Sequence, residues 1–271
     1  MKTTFLKACA VAALALTIAG SASAHRAWML PSSFTLSGEG QWVTVDGAIS
    51  NNLFYPNHHA MNLDSVTVFG PDGKPVEAQN KASGKYRSVF DIALEKEGTY
   101  RISSGGAGYM ASWEEGGERK RWRGTAETLK SEGIEAKPGV QVTGNVRRIE
   151  TFVTLGAPTT AVFATEGTGL ELKPVTHPND VYAGEKVSFQ LLVDGAPAEG
   201  VEVDIIRGSD RYRDSEDGLK LTTNAEGILT FTPEEAGAYW LSASAEGKSM
   251  LNGKEIGVRS SYVATFEALP H

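Results

Sequence analysis

Short runs of β-forming residues, each closed by a turn signal, recur along this chain and restrict it to a β architecture. Val66–Phe69 runs into Gly70-Pro71-Asp72-Gly73. In Tyr86–Leu94, Tyr86, Ser88, Phe90 and Ile92 face away from Arg87, Val89 and Asp91. Thr99–Ser103 follows Gly98, and strands are expected at Val140–Val142, Ile149–Leu155 and Thr160–Ala164. The second half predicts Lys186–Val193, Val201–Arg207, Leu219–Thr223, Ile228–Thr232, Ala238–Ala245 and Ser260–Ala268. Strands this short and this closely spaced read as β-sandwiches.

A weak internal repeat implies two of them. Asp72-Gly73-Lys74-Pro75 is echoed by Asp194-Gly195-Ala196-Pro197, and Gly98-Thr99-Tyr100 by Gly237-Ala238-Tyr239. The tyrosine of such a step packs at the corner of an immunoglobulin-like sandwich and bonds nearby backbone through its hydroxyl. The predicted fold is therefore all-β, with two immunoglobulin-like β-sandwich domains in tandem, residues 25–167 and 168–271. Residues 105–139 are expected to be an irregular insertion, because glycine pairs, two tryptophans and the run Arg119-Lys120-Arg121-Trp122-Arg123 break the pattern. Within it Thr125–Ser131 reads as a short helix capped by Thr125.

Residues 1–24 read as a secretory signal peptide. Lys2 and Lys7 precede the apolar run Ala8–Gly20, and Ala22-Ser23-Ala24 is an A-x-A cleavage signal. The expected compartment is the periplasm. The only cysteine, Cys9, lies inside this leader, so the processed chain is expected to have no disulfide and no thiolate ligand. A formal charge of −7 argues against a nucleic-acid-binding surface. No nucleophile elbow, phosphate-binding glycine loop or H-E-x-x-H pattern occurs, and the reading is non-enzymatic.

Cleavage after Ala24 makes His25 the first residue. An α-amine and an imidazole on one residue chelate copper, nickel, cobalt or zinc. Three further histidines are candidate ligands: His58 and His59, side by side after Pro56, and His177 before Pro178 at the start of the second half. An all-nitrogen set suits transition metals rather than Mg or Ca. His58 and His59 cannot both point the same way in a strand, which leaves one as ligand and the other in support. His271, at the end of the chain, is read as incidental. The acidic cluster Asp210–Asp217 lacks the alternation of a calcium loop. The stretch Trp113–Trp122 reads mainly as an edge seal, with a ligand-binding loop as the alternative.

Several segments together resemble a family of exported bacterial proteins often described as the periplasmic component of nickel or cobalt uptake systems. They are Ala24-His25-Arg26-Ala27-Trp28-Met29-Leu30-Pro31, Tyr55-Pro56-Asn57-His58-His59, Gly98-Thr99-Tyr100-Arg101, Leu170-Glu171-Leu172-Lys173-Pro174 running into His177-Pro178, and Ala264-Thr265-Phe266-Glu267. The resemblance implies a β-rich exported protein that handles nickel, cobalt or copper, with a membrane uptake system as partner. Members commonly carry an aromatic directly after the leading histidine; here Arg26 and Ala27 precede Trp28, a departure that touches no candidate ligand. Two alternatives come from other classes. One is a carbohydrate-binding or adhesion module using the tryptophan stretch. The other is a copper oxidative enzyme using His25.

Overall fold

The computed structural model describes residues 25–271, so the signal-peptide reading of residues 1–24 lies outside the described residues. The first half contributes β1 (Arg26–Pro31), β2 (Thr35–Leu36), β3 (Gln41–Ser50), β4 (His59–Ala60), β5 (Val66–Phe69), β6 (Pro75–Val76), β7 (Gln79–Ser83), β8 (Ser88–Leu94), β9 (Gly98–Glu115), β10 (Glu118–Gly124), the helix α1 (Ala126–Ser131) and β11 (Gln141–Leu155). The second half contributes β12 (Leu170–Pro174), β13 (Val187–Val193), β14 (Ala196–Pro197), β15 (Glu202–Arg207), β16 (Leu219–Thr222), β17 (Ile228–Phe231), β18 (Gly237–Leu251) and β19 (Lys254–Ala268). The protein is all-β and built as immunoglobulin-like sandwiches.

The repeat marks fall where their chemistry predicts. Asp194 and Gly195 both adopt positive φ (50° and 80°) in the tight turn between β13 and β14. Tyr100 donates to the Lys96 carbonyl at 2.9 Å, and Tyr239 to that of Glu235 at 2.7 Å. Each half thus has its tyrosine corner, four residues downstream of the backbone it holds.

The two halves share one sheet. Ten strands run in the order β16-β15-β18-β19-β11-β9-β5-β6, with β10 beside β9 and β2 beside β11. The join is β11 on β19, a parallel ladder from Thr143↔Gly257 to Thr151↔Thr265. A sheet of β1, β3, β4, β7 and β8 covers one face, and a sheet of β12, β13, β14 and β17 covers the other. Strand alternation sorts the residues between them. Ile149, Val153, Ile102, Trp240 and Val263 enter the core beneath the β1–β3–β8 sheet. Leu241, Tyr262, Ala264 and Phe266 enter the core beneath β12 and β13.

Residues 105–139 differ from the expected irregular insertion. β9 continues unbroken to Glu115, turns at Gly116-Gly117 and returns as β10. Gly105 permits this passage: an added Cβ there would lie 1.9 Å from the Arg147 carbonyl oxygen. Helix α1 starts as predicted, with Thr125 and Thr128 forming a reciprocal cap. Its Leu129, with Ile134, packs on Tyr109, Trp113 and Trp122. The expected strand Thr160–Ala164 is instead a 3₁₀ turn over Ala161–Phe163.

Two polar clusters tie the halves together. On the join, buried Glu150 accepts from the Tyr262 hydroxyl at 2.8 Å and faces Arg101 and Arg148 at 3.7 and 3.9 Å. Both arginines also reach Glu166, and Glu171 accepts from the backbone N–H groups of Glu166 and Gly167. Burial first, and then the Glu150 carboxylate, push the Tyr262 hydroxyl well above its ordinary range, which keeps it a donor. Nearby, His177 Nδ1 accepts from the Asn179 N–H, so its Nε2–H faces the Thr159 carbonyl at 3.2 Å and Thr99 Oγ1 at 3.0 Å. Asn179 in turn donates to the Phe34 and Phe152 carbonyls.

Removing one partner of a buried ionic cluster leaves charge uncompensated. Glu150→Ala is therefore expected to lower the unfolding free energy by about 3–5 kcal/mol, and Tyr262→Phe by about 1–3 kcal/mol, measured by urea denaturation. His177 titrates in the opposite direction from a salt-bridged histidine, because desolvation holds its pKa below the ordinary value. The unfolded chain takes up a proton near pH ~6.5 that the folded chain refuses. This contribution to stability is complete above that value and is lost as pH falls through it toward the folded pKa. His177→Gln should flatten the stability–pH profile in that window; an unchanged slope would show that the ring is not held neutral.

Candidate functional site

The candidate histidines sort themselves by the strands that carry them. β3 has β1 on one side, with Arg26 opposite Ser50, and β4 on the other, with His59 opposite Ile49. The loop between β3 and β4 crosses the end of β3 and brings His58 onto His25. The two imidazoles stack face to face, 3.6 Å between centroids and 6° between planes. Both side chains are exposed.

This position is braced from both halves. Trp28 Nε1 donates to Ser50 Oγ at 2.6 Å, and that hydroxyl donates to the Asn52 carbonyl. Asn57 Oδ1 accepts from the Asn51 N–H at 2.9 Å, which closes the loop on itself. Arg26 donates to Glu216 at 2.6 Å, lies 3.5 Å from buried Asp210 and stands over the Trp240 ring. Asp210 also accepts from the Leu53 N–H at 3.0 Å, and Arg211 covers the Tyr55 ring at 3.8 Å. Asp210 and Glu216 of the acidic segment 210–217 thus form part of a clamp on the start of β1. Arg26 and Glu216 lie 190 residues apart, and no local pattern marks them as partners.

The other two candidates are not brought to this pair. His59 points its Nδ1 at the Ala60 carbonyl, 2.6 Å away, and stays outside the stack. His177 is half-buried on the far side of the join, with both ring nitrogens engaged and Phe163 edge-on to its ring. It meets first-half residues through hydrogen bonds. Among the described residues no cluster of three or more His, Cys, Asp or Glu side chains has a metal-binding arrangement. The donors that fit a transition metal are the imidazoles of His25 and His58, joined by an α-amine if the chain begins at His25. In the stack their lone pairs lie in parallel planes, so joint ligation requires one ring to turn.

The tryptophan stretch belongs to the β9–β10 hairpin. Trp122 donates to Glu132 at 2.9 Å, and Trp113 packs beside it beneath Lys137. Both indoles seal α1 against the sheet.

No curated protein matches this chain. Among solved structures it is similar to trypsin-activated α-2-macroglobulin from Escherichia coli, at 13% identity over 89% of this chain and 16% of that one, with a TM-score of 0.24. It is also similar to the D0-D1 domain of intimin, at 12% identity over 88% and 96%, with a TM-score of 0.21. A DUF4785 family protein from Legionella pneumophila aligns at 10% identity over 80% and 51%, with a TM-score of 0.25. The chain thus spans about 16% of the length of the macroglobulin and about half that of the Legionella protein. Residues 22–247 match DUF4198, a domain of unknown function, and with most of its length inside that match the chain belongs to the DUF4198 family.

Proposed function

We propose that this protein is an exported, periplasmic and non-catalytic transition-metal-binding protein, processed to begin at His25, that serves a membrane uptake system for nickel, cobalt or copper. One observation carries the reading: His25 and His58, far apart in sequence, stand with their rings in contact on a braced surface. With the amine freed by processing, three nitrogens are available within one small exposed patch. Nitrogen donors without thiolate or carboxylate select the later first-row metals. The resemblance to nickel and cobalt uptake components points the same way.

Ligation displaces a proton from the amine, whose ordinary pKa of ~7.7–8.0 makes this inexpensive near neutrality. The Arg26 clamp contributes by holding the first strand in register, so that little backbone freedom is lost when an ion binds. His59 and His177 are outside the ligand set.

Calorimetric titration with Ni(II), Co(II), Cu(II) and Zn(II) tests the reading. The sample is protein beginning at His25, compared with protein carrying one extra residue before it. The extension and His58→Ala should each weaken binding tenfold or more, about 1.4 kcal/mol, and His59→Ala should leave it unchanged. Metal at about 100 times its Kd should raise the unfolding free energy by about 2.7 kcal/mol. Equal affinity in the extended and unextended proteins would remove His25 from the site and overturn the proposal.

A further inference from the structure

The far end of the ten-stranded sheet is covered on one face only. Tyr109, Trp113, Trp122 and Val142 point toward α1 and Ile134. The register places their neighbours on the opposite face, beyond the reach of the β1–β3–β8 sheet. These include Arg119, Arg121 and Arg123 of β10, Met110 and Ser112 of β9, and Gln141, Thr143 and Arg147 of β11. Two adjoining concavities, of about 600 and 390 Å³, occupy this face and share Met110 and Arg123. Gly106 and Gly108 lie in the floor of the second, where the absence of side chains keeps it open.

The arginines here differ from those nearer the join. Arg101 and Arg148, on the opposite face nearer the join, are surrounded by glutamates. Among the described residues, none of Arg119, Arg121, Arg123 and Arg147 forms an ion pair. Arg119 donates to Ser112 Oγ at 3.2 Å, and Arg123 reaches the Met110 sulfur at 3.6 Å. Arg123 and Arg147 line the same concavity. Desolvation, and then the charge of Arg123, pull the Arg147 guanidinium below its ordinary range. Like charges directed at one hollow destabilise the empty protein, and an anion placed between them relieves the repulsion.

The surroundings limit which anion fits. Exposed Glu114, Glu246 and Glu255 lie on the same face, outside the arginines, with Glu255 bound to Lys248 at 2.8 Å. Lys248 and Arg259 stand among these glutamates on the same face, and the size of the two concavities, about 600 and 390 Å³, suits a compact ligand. Two guanidiniums on one hollow call for more than a single carboxylate charge. A phosphate monoester carries about −1.5 to −2 charges at neutral pH and three acceptor oxygens, and it receives arginine donors from two sides. Arg121 and Arg123 are two residues apart on a strand, about 6.8 Å, so a second acidic group on the same ligand would find Arg121.

We propose that this face binds a small, soluble phosphorylated compound, with its phosphoryl group held between Arg123 and Arg147 and Arg121 receiving a further anionic group. The site is separate from His25 and His58 and uses no metal.

The test is calorimetry on the chain beginning at His25, in the presence of a chelator, with glycerol phosphate and pyrophosphate as probes and acetate at equal ionic strength as control. Both phosphorylated probes should bind and acetate should not. Glycerol phosphate should bind more tightly as pH rises through about 6, where its dianion forms. Arg123→Gln and Arg147→Gln should each weaken both probes tenfold or more, while thermal unfolding of the unliganded variants stays unchanged or moves upward. His58→Ala should bind the probes normally, which separates this site from the metal reading. Affinity unaltered in the arginine variants would overturn the proposal. So would a fall in unliganded stability that matches the loss of binding, or binding confined to vesicles containing phosphatidic acid.

Discussion

The parallel ladder between β11 and β19 is the contact on which the rest of the molecule depends. It pairs the strand that ends the first half with the strand that ends the chain, over nine consecutive partners from Thr143↔Gly257 to Thr151↔Thr265. A parallel pair needs a long crossover, and here the crossover is nearly the whole second half. The cores share residues across this join. Ile206, Trp240 and Val263 belong by sequence to the second half, yet they complete the core of the first. Charge is concentrated at the same seam. Glu150 and Tyr262, on paired strands, bring Arg101 and Arg148 into a cluster that also secures the connecting segment through Glu166 and Glu171.

Both surfaces assigned a role follow from this shared sheet. Because Trp240 and the 210–217 segment are carried to the edge of the first sandwich, Arg26 finds Asp210 and Glu216 there, and the start of β1 is fixed beside the β3–β4 loop. That placement sets His25 against His58. Because β9, β10, β11, β18 and β19 run past the covering sheets, a wide sheet surface remains beyond them. Alternation then gives it one apolar face, which α1 covers, and one cationic face, which nothing in the described chain covers.

The strands were largely legible because period-2 alternation is a local property. Val66–Phe69 is observed as predicted, and Lys186–Val193, Val201–Arg207 and Ile228–Thr232 are each within one residue at either end. Alternation failed where it lacked an apolar face to reveal it. In β10 charged residues occupy both faces around a single tryptophan, so the run read as an irregular loop. At Thr160–Ala164 the β-branched composition suggested a strand, but a 3₁₀ turn forms there because the chain must reverse beside Glu166 and the join. The candidate site was legible as residue types only. His25 and His58 were named from their neighbours in sequence. His177 looked equivalent to them, and its hydrogen bonds to Thr99, Thr159 and Asn179 depend on contacts that no local pattern records.

Sequence by itself determined that this chain is built of strands and that each half has a tyrosine corner. Those are consequences of local backbone preference and of composition, whereas β9, β11, β18 and β19 extend to 15–18 residues, well beyond the short runs that local pattern marks. Tertiary structure decided that the two halves share a sheet, that His58 rather than His59 or His177 meets His25, and that the tryptophans of the 113–122 stretch are engaged while its arginines stand open. The physical reason is the same in each case. Strand alternation states that neighbouring residues face opposite ways, but only the pairing of distant strands determines which face is buried and which charges find partners.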